Sequence, residues 1–323
     1  MNNSRNVEYC KYAFVVPTYN YAHFIVRALD SIFCQNSSDF QVIVVDDGST
    51  DETKSLLLDK YSNKSNFYYY YQHNRGPNVA CSEAIRNSNA QYVIFMAADD
   101  CLRPDYLDNI DAITTSDSTL DVIFGQSCSI SSDGKRKKVS SDVYPLSDPL
   151  ECFRSFILGE VSATTCGTLV RRKVMDDYID YPGVLPQSFD VVVIAHFFLK
   201  HRCFQTQSVF VDVYDHNQRF RNNISAIKSD ANLVEVMFNS TLLGGHQEAL
   251  RYKADFYAKN KKSRGRSFYR NRMWSEALEA YSRVVKMNTK DAVDSQVIKR
   301  MFVSYAMSKW EGAGFRWFER SGL

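Results

Sequence analysis

The chain has 323 residues, 45% apolar and 24% charged, a balance that supports a buried core and excludes a disordered chain. No apolar run reaches the roughly 18 residues that a spanning helix needs, and the N-terminus MNNSRNVEYCKY lacks the apolar centre of a signal peptide, so a cytoplasmic protein is expected. The net charge of +2 hides an asymmetry: residues 251–323 carry 17 Lys and Arg against 7 Asp and Glu, or +10, and the remainder carries 22 against 30, or −8. A basic, aromatic-bearing end on an acidic body suggests an anionic partner, either a membrane surface or another protein; a solvated helical face is the plainer alternative. Eight cysteines without any CxxC pair read as reduced, buried thiols.

Tyr12 to Val16 reads as a first buried strand stopped by Pro17, with the polar loop Thr18-Tyr19-Asn20-Tyr21 after it. Phe24, Ala28, Leu29, Ile32 and Phe33 then recur at helical spacing. Val42 to Val45 is an unbroken apolar run ending on Asp46-Asp47-Gly48-Ser49, the pattern of a buried strand meeting a turn. Ser49 or Thr50 is expected to cap a helix whose buried side is Leu56, Leu57 and Tyr61. Phe67 to Tyr71 is an aromatic strand, Val79 to Asn87 a helix, and Gln91 to Met96 a strand ending on Ala97-Ala98-Asp99-Asp100. This alternation specifies a largely parallel sheet covered on both faces.

Beyond Pro104 the pattern becomes mixed. A helix leads to a strand from Asp121 to Phe124, and Ser132-Asp133-Gly134 marks a hairpin turn before the basic arm Lys135 to Lys138. A helix near Leu150 to Leu158, a strand near Thr165 to Val170, a helix from Phe189 to Phe198 and a strand from Val209 to Tyr214 follow. After Asn222 the periodicity is helical, which divides the chain into an α/β domain, 1–225, and a helical extension, 226–323. There Trp274, Ala277, Leu278, Tyr281, Val284 and Val285 have the spacing of one tetratricopeptide-like helix. A single repeat cannot bury its own face, so packing on the main domain is expected.

Two carboxylate pairs, Asp46-Asp47 and Asp99-Asp100, thus end two strands of one sheet, where parallel strands present ligand sites. Either pair alone is explained by a solvated turn. Together they suggest a cleft whose repelling charges a divalent cation, Mg²⁺ or Mn²⁺, would relieve.

The runs VVPTYN (Val15 to Asn20), VVDDGSTD (Val44 to Asp51), Asn74-Arg75-Gly76 before a helix, and YVIFMAADD (Tyr92 to Asp100) resemble, in order and spacing, glycosyltransferase family 2 with its GT-A fold. The resemblance covers roughly the first 105 residues. It implies that Pro17, Thr18 and Tyr19 contact the base and ribose of a nucleotide-sugar donor, that Asp47 bonds the uracil of a UDP-sugar, and that Gly76 lies in a donor-binding loop. It further implies that Asp99 meets the ribose and that Asp99 and Asp100 hold a Mn²⁺ or Mg²⁺ ion bridging the diphosphate. Ala97 stands where many members have another Asp, and Cys81-Ser82 where many have Arg-Asn.

By the same resemblance Asp190, at the start of a helix, is the general base of an inverting transferase, with Asp180 in reserve. His216 falls where relatives place a His near the diphosphate, and Arg219 and Arg221 follow it. The expected activity is therefore a hexosyltransferase type, moving a sugar to a saccharide or lipid-linked acceptor in surface polysaccharide synthesis. No nucleic acid partner is expected. Arg266, Phe268, Tyr269, Arg270, Arg272 and Trp274 are expected to give the C-terminal helices a peripheral contact with the inner face of the cell membrane. The alternative is a catalytically silent nucleotide-sugar-binding or scaffolding protein.

Overall fold

Five consecutive residues of β1 (Cys10–Thr18), Tyr12 to Val16, are fully buried, and this strand has a parallel neighbour on each side. The computed structural model describes residues 7–138, 147–179, 189–216, 233–286 and 294–321, and it divides into two compact units, 1–222 and 223–323. Asp180, Arg219 and Arg221 lie outside the described residues.

In the first unit β1 is followed by α1 (Ala22–Phe33), β2 (Phe40–Asp46), α2 (Thr53–Tyr61), β3 (Phe67–Tyr71), α3 (Pro77–Arg86) and β4 (Ala90–Phe95). The four strands pair in parallel in the order β3-β2-β1-β4. Every residue of β2 is buried, which is why Val42 to Val45 at its centre is an unbroken apolar run rather than an alternation. Next come β5 (Cys101–Leu102), α4 (Tyr106–Ser116), β6 (Val122–Ile130), β7 (Arg136–Lys138), α5 (Pro149–Leu158), β8 (Leu169–Arg171), α6 (Phe189–Lys200) and β9 (Cys203–Tyr214). These extend the same sheet as β4-β8-β6-β9-β5, with β7 forming the expected hairpin on β6.

The pairing directions fix where the site must lie. β8 is antiparallel to β4 and to β6, and β9 is parallel to β6, so β9 runs in the direction of the first four strands. The carboxyl ends of β1, β2, β4 and β9 therefore share one edge. β5 starts back from that edge, antiparallel to β9, with Cys101 opposite Asp212.

Three local expectations are corrected. Neither Ser49 nor Thr50 caps α2: the Ser49 hydroxyl accepts from the Asn20 amide at 2.9 Å, and Asp51 Oδ1 instead accepts from the Thr53 amide at 3.0 Å. The strand expected from Val209 begins at Cys203, because pairing with β6 extends it through polar residues that carry no apolar signal. All eight cysteines are free thiols, but only Cys101, Cys152 and Cys166 are buried; Cys10, Cys81, Cys128 and Cys203 are half-buried and Cys34 is exposed.

The second unit contains three long helices, Lys253–Arg270, Trp274–Lys286 and Ser295–Ser321. Gly265 lets the first two approach: a Cβ there would lie 2.9 Å from Tyr281 Cε1. Ala277, Ala280, Tyr281 and Val284 pack with Phe268 and with Val297 of the third helix. The repeat-like face is thus covered within its own unit. Phe268 points into that core, so it cannot serve an outward interfacial face as expected. Among the described residues no helix is long and apolar enough to cross a membrane.

Candidate active site

The two adjacent carboxylates after β2 have separate partners. Asp46, fully buried, accepts from the Ser49 amide at 2.8 Å and from the Tyr69 hydroxyl at 2.7 Å, so it closes the turn and ties it to β3. Burial, and then the bond to Asp46, push the Tyr69 hydroxyl well above the ordinary phenol range, which keeps it a donor. Asp47 reaches the other way. Its Oδ1 accepts from Gln72 Nε2 at 2.6 Å and the Arg75 amide at 2.8 Å, and its Oδ2 from the Gly76 amide at 2.8 Å. A carboxylate offers about four acceptor sites, so these three bonds leave one on Oδ2. Gly48 sits at φ +86°, and a Cβ there would lie 2.9 Å from the Asn74 amide nitrogen, so this turn and the Gly76 loop are in contact.

The loop after β1 is bound to the same turn. The Asp47 amide donates to the Thr18 carbonyl at 2.8 Å. Asn20, at φ +53°, accepts the Thr50 amide on its side-chain oxygen at 2.8 Å, and the Ala22 amide donates to Asp51 Oδ2 at 3.1 Å. Pro17 is half-buried, Thr18 buried and Tyr19 exposed.

One residue further, Tyr21 leads to the second carboxylate pair: its ring meets the His216 ring edge-on with centroids 5.9 Å apart. His216 Nε2 lies 2.9 Å from Asp99 Oδ2, and the Phe24 ring stacks on the imidazole at 4.3 Å. Asp100 Oδ1 accepts from the Tyr214 amide at 3.1 Å, which fastens the turn after β4 to the end of β9. Arg27 of α1 reinforces the same joint by donating to the Asp99 carbonyl at 2.9 Å while its guanidinium lies 3.6 Å from the Tyr214 ring centroid.

The structure therefore gathers Thr18, Asp47, Gly76, Asp99, Asp100 and His216 along one edge, linked through residues 18–21. Asp190 stands on a different element, in the first turn of α6, half-buried, with Oδ1 accepting from the Val191 amide at 2.9 Å. Phe24, Arg27 and Tyr214 carry no motif signal, since an aromatic residue and an Arg on an amphipathic helix look like ordinary packing and surface positions. Their contacts become visible only once β9 is brought beside α1.

Among the described residues, buried side-chain atoms without a hydrogen-bond partner include Thr18 Oγ1, Gln72 Oε1 and His216 Nδ1, all on this edge. Buried polar atoms are ordinarily paired, so their gathering marks a surface shaped for a polar ligand. The same observation tests a metal. Asp99, paired with the imidazole, and Asp100, bonded to the Tyr214 amide, offer carboxylate oxygens of the kind that Mn²⁺ or Mg²⁺ takes. Among the described residues no three His, Cys, Asp or Glu side chains could hold an ion unaided, so a diphosphate would have to supply further oxygens.

Residues 13–179 match the family described as Glycosyl transferase family 2. Chondroitin synthase of Escherichia coli is 36% identical over 90 residues, which are 28% of this chain and 13% of that protein. Glycosyltransferase GlyA of Streptococcus pneumoniae serotype 4 is 30% identical over 100 residues, 31% of this chain and 14% of that protein. The chain thus spans about one seventh of the length of these two curated relatives. Among solved structures, S. aureus TarS 1-349 in complex with UDP-GlcNAc superposes with a TM-score of 0.64 at 17% identity, covering 94% of this chain and 92% of that one.

Proposed function

Because the chain belongs to glycosyl transferase family 2 and has the GT-A fold, we propose that it is an inverting glycosyltransferase. It moves a sugar from a UDP-sugar to a hydroxyl of a saccharide or glycolipid acceptor in surface polysaccharide synthesis. The single observation that carries the donor reading is the edge on which Asp47 keeps one acceptor site beside three unpartnered polar atoms, with the Asp99 and His216 pair in reach of the same loop. TarS, which has a similar fold, is known in complex with UDP-GlcNAc and with UDP, which supports a uridine donor here.

In this reading Thr18 and Asp47 receive the base and ribose, Asp47 Oδ2 accepting the imide N–H of uracil. Asp99, Asp100 and His216 face the diphosphate. A divalent cation held there with the diphosphate would neutralise charge on the leaving group. Asp190 takes the proton of the acceptor hydroxyl as that oxygen attacks the anomeric carbon. The bond from that carbon to the diphosphate oxygen breaks on the opposite side, inverting the configuration.

The test is turnover with a panel of UDP-sugars and Mn²⁺, preceded by a thermal-shift screen for the donor. Asp190→Asn is expected to abolish transfer and leave UDP binding intact; transfer at the unmutated rate would remove the base assignment. A catalytically silent nucleotide-sugar-binding protein is the second reading, favoured by Ala97 at the turn after β4, and it predicts binding of UDP with no turnover under any acceptor.

A further inference from the structure

Over residues 295–310, the helix Ser295–Ser321 carries apolar side chains on two sides, one packed against a core and the other exposed. Val297 and Ser304 are buried, and Met301 packs against the core that Tyr281 and Val284 form. Away from this side, Ile298 is 36% exposed, Tyr305 53%, Phe302 65% and Trp310 71%. At 100° per residue these four fall within about 140° of arc, so they form one stripe rather than scattered surface residues. Apolar all round is the signature of a buried helix, and single exposed apolar residues are common, but four large ones on one stripe call for a cover.

The charges on the stripe say what kind. Lys299 and Lys309 lie in the same arc and are exposed, and residues 295–310 contain no Asp or Glu. Their surroundings are basic as well, since residues 251–323 carry 17 Lys and Arg against 7 Asp and Glu. Long lysine stems can lie along an apolar surface with the ammonium in water, and Trp and Tyr favour the boundary between headgroups and acyl chains. We propose that this stripe is a docking surface for an anionic lipid bilayer, with Phe302 and Trp310 inserted at the headgroup level and Lys299 and Lys309 meeting the lipid charge. It replaces the face centred on Phe268, whose side chain is inside. It is independent of the sugar-transfer reading and is tested without any donor.

The experiment is co-sedimentation of the full chain with vesicles of phosphatidylcholine alone and of phosphatidylcholine with phosphatidylglycerol, at low and high salt, with light scattering to give the oligomeric state. The expected result is binding to the anionic vesicles only, weakened by salt. Phe302→Ser with Trp310→Ser should lower the bound fraction by about tenfold or more. Lys299→Glu with Lys309→Glu, which leaves the apolar stripe intact and guards against misfolding of the first variant, should lower it by about fivefold per charge. Equal binding to neutral vesicles, no binding, or binding indifferent to both variants would overturn the proposal. So would a dimer that Phe302→Ser dissociates, because the cover would then be a second copy of the chain.

Discussion

The Phe24 ring lies over the His216 imidazole with centroids 4.3 Å apart and planes inclined by 25°, while the other end of the imidazole meets Asp99 at 2.9 Å. The imidazole is thereby held in one orientation by a ring from α1 and a carboxylate from the turn after β4. Such stacking contributes about 0.5–1.5 kcal/mol. Phe24→Ala should therefore lower kcat/KM for the donor by about two- to tenfold, and Phe24→Tyr should restore most of it. Steady-state kinetics with UDP-sugar and Mn²⁺, with folding checked by circular dichroism, measures this.

Asp46 and Asp47 should separate under the same substitution. Asp46→Asn leaves an amide against the Tyr69 hydroxyl or the Ser49 amide, both donors, at a cost of about 1–3 kcal/mol in stability, with UDP affinity of the folded fraction unchanged. Asp47→Asn faces three donors and also loses the remaining acceptor site, so stability and UDP affinity should fall together. Urea unfolding and calorimetric titration with UDP distinguish the two patterns.

Gly48→Ala should destabilise by more than about 1 kcal/mol, since it combines a left-handed backbone with a Cβ 2.9 Å from the Asn74 nitrogen. Gly76 has φ +95° but open space around its Cβ position, so Gly76→Ala should cost less. Thermal midpoints of the two variants give the comparison.

The Asp51 carboxyl is held below its ordinary value: burial acts against this, but bonds from the Thr53 hydroxyl and the Ala22 and Thr53 amides outweigh it. A depressed folded value means that the stabilisation is complete above the unfolded carboxyl range, about 3.9, and is lost as pH falls through the lower folded value. The stability difference between the native chain and Asp51→Asn should thus be constant from neutral pH down to about pH 5 and shrink in acid. Denaturation at a series of pH values reads it directly.

The sheet was legible where burial on both faces wrote it as continuous apolar runs, as in Val42 to Val45 and Tyr12 to Val16. β5 was not, because two residues have no period, and neither was the start of β9, where the polar run Gln205 to Ser208 separates Cys203 and Phe204 from the apolar stretch and only pairing with β6 joins them to it. At the site, carboxylate pairs at strand ends were visible because adjacent acids after apolar runs are unusual. What each oxygen binds was not: adjacent side chains of an extended segment point to opposite faces, so Asp46 and Asp47 acquire unrelated partners only when β3 and the Gly76 loop are in place. The outward stripe of the last long helix is not legible in the sequence for a different reason. Its covered and bare sides are both apolar, so no amphipathic contrast distinguishes them.

Asn20 holds a left-handed conformation with its side-chain oxygen bonded to the Thr50 amide, its own amide bonded to Ser49, and Asp47 bonded back to Thr18. The two loops that flank the proposed nucleotide edge are thus bonded to each other by the chain's own groups. Fixing a residue's backbone costs about 1–2 kcal/mol, and here that cost is met in folding rather than in association. Donor capture should accordingly be limited by encounter and not by rearrangement, with a fast on-rate and little coupled folding in its heat-capacity change. Asn20→Ala would return that ordering to the binding step, leaving the same contacts to be made from a looser starting point.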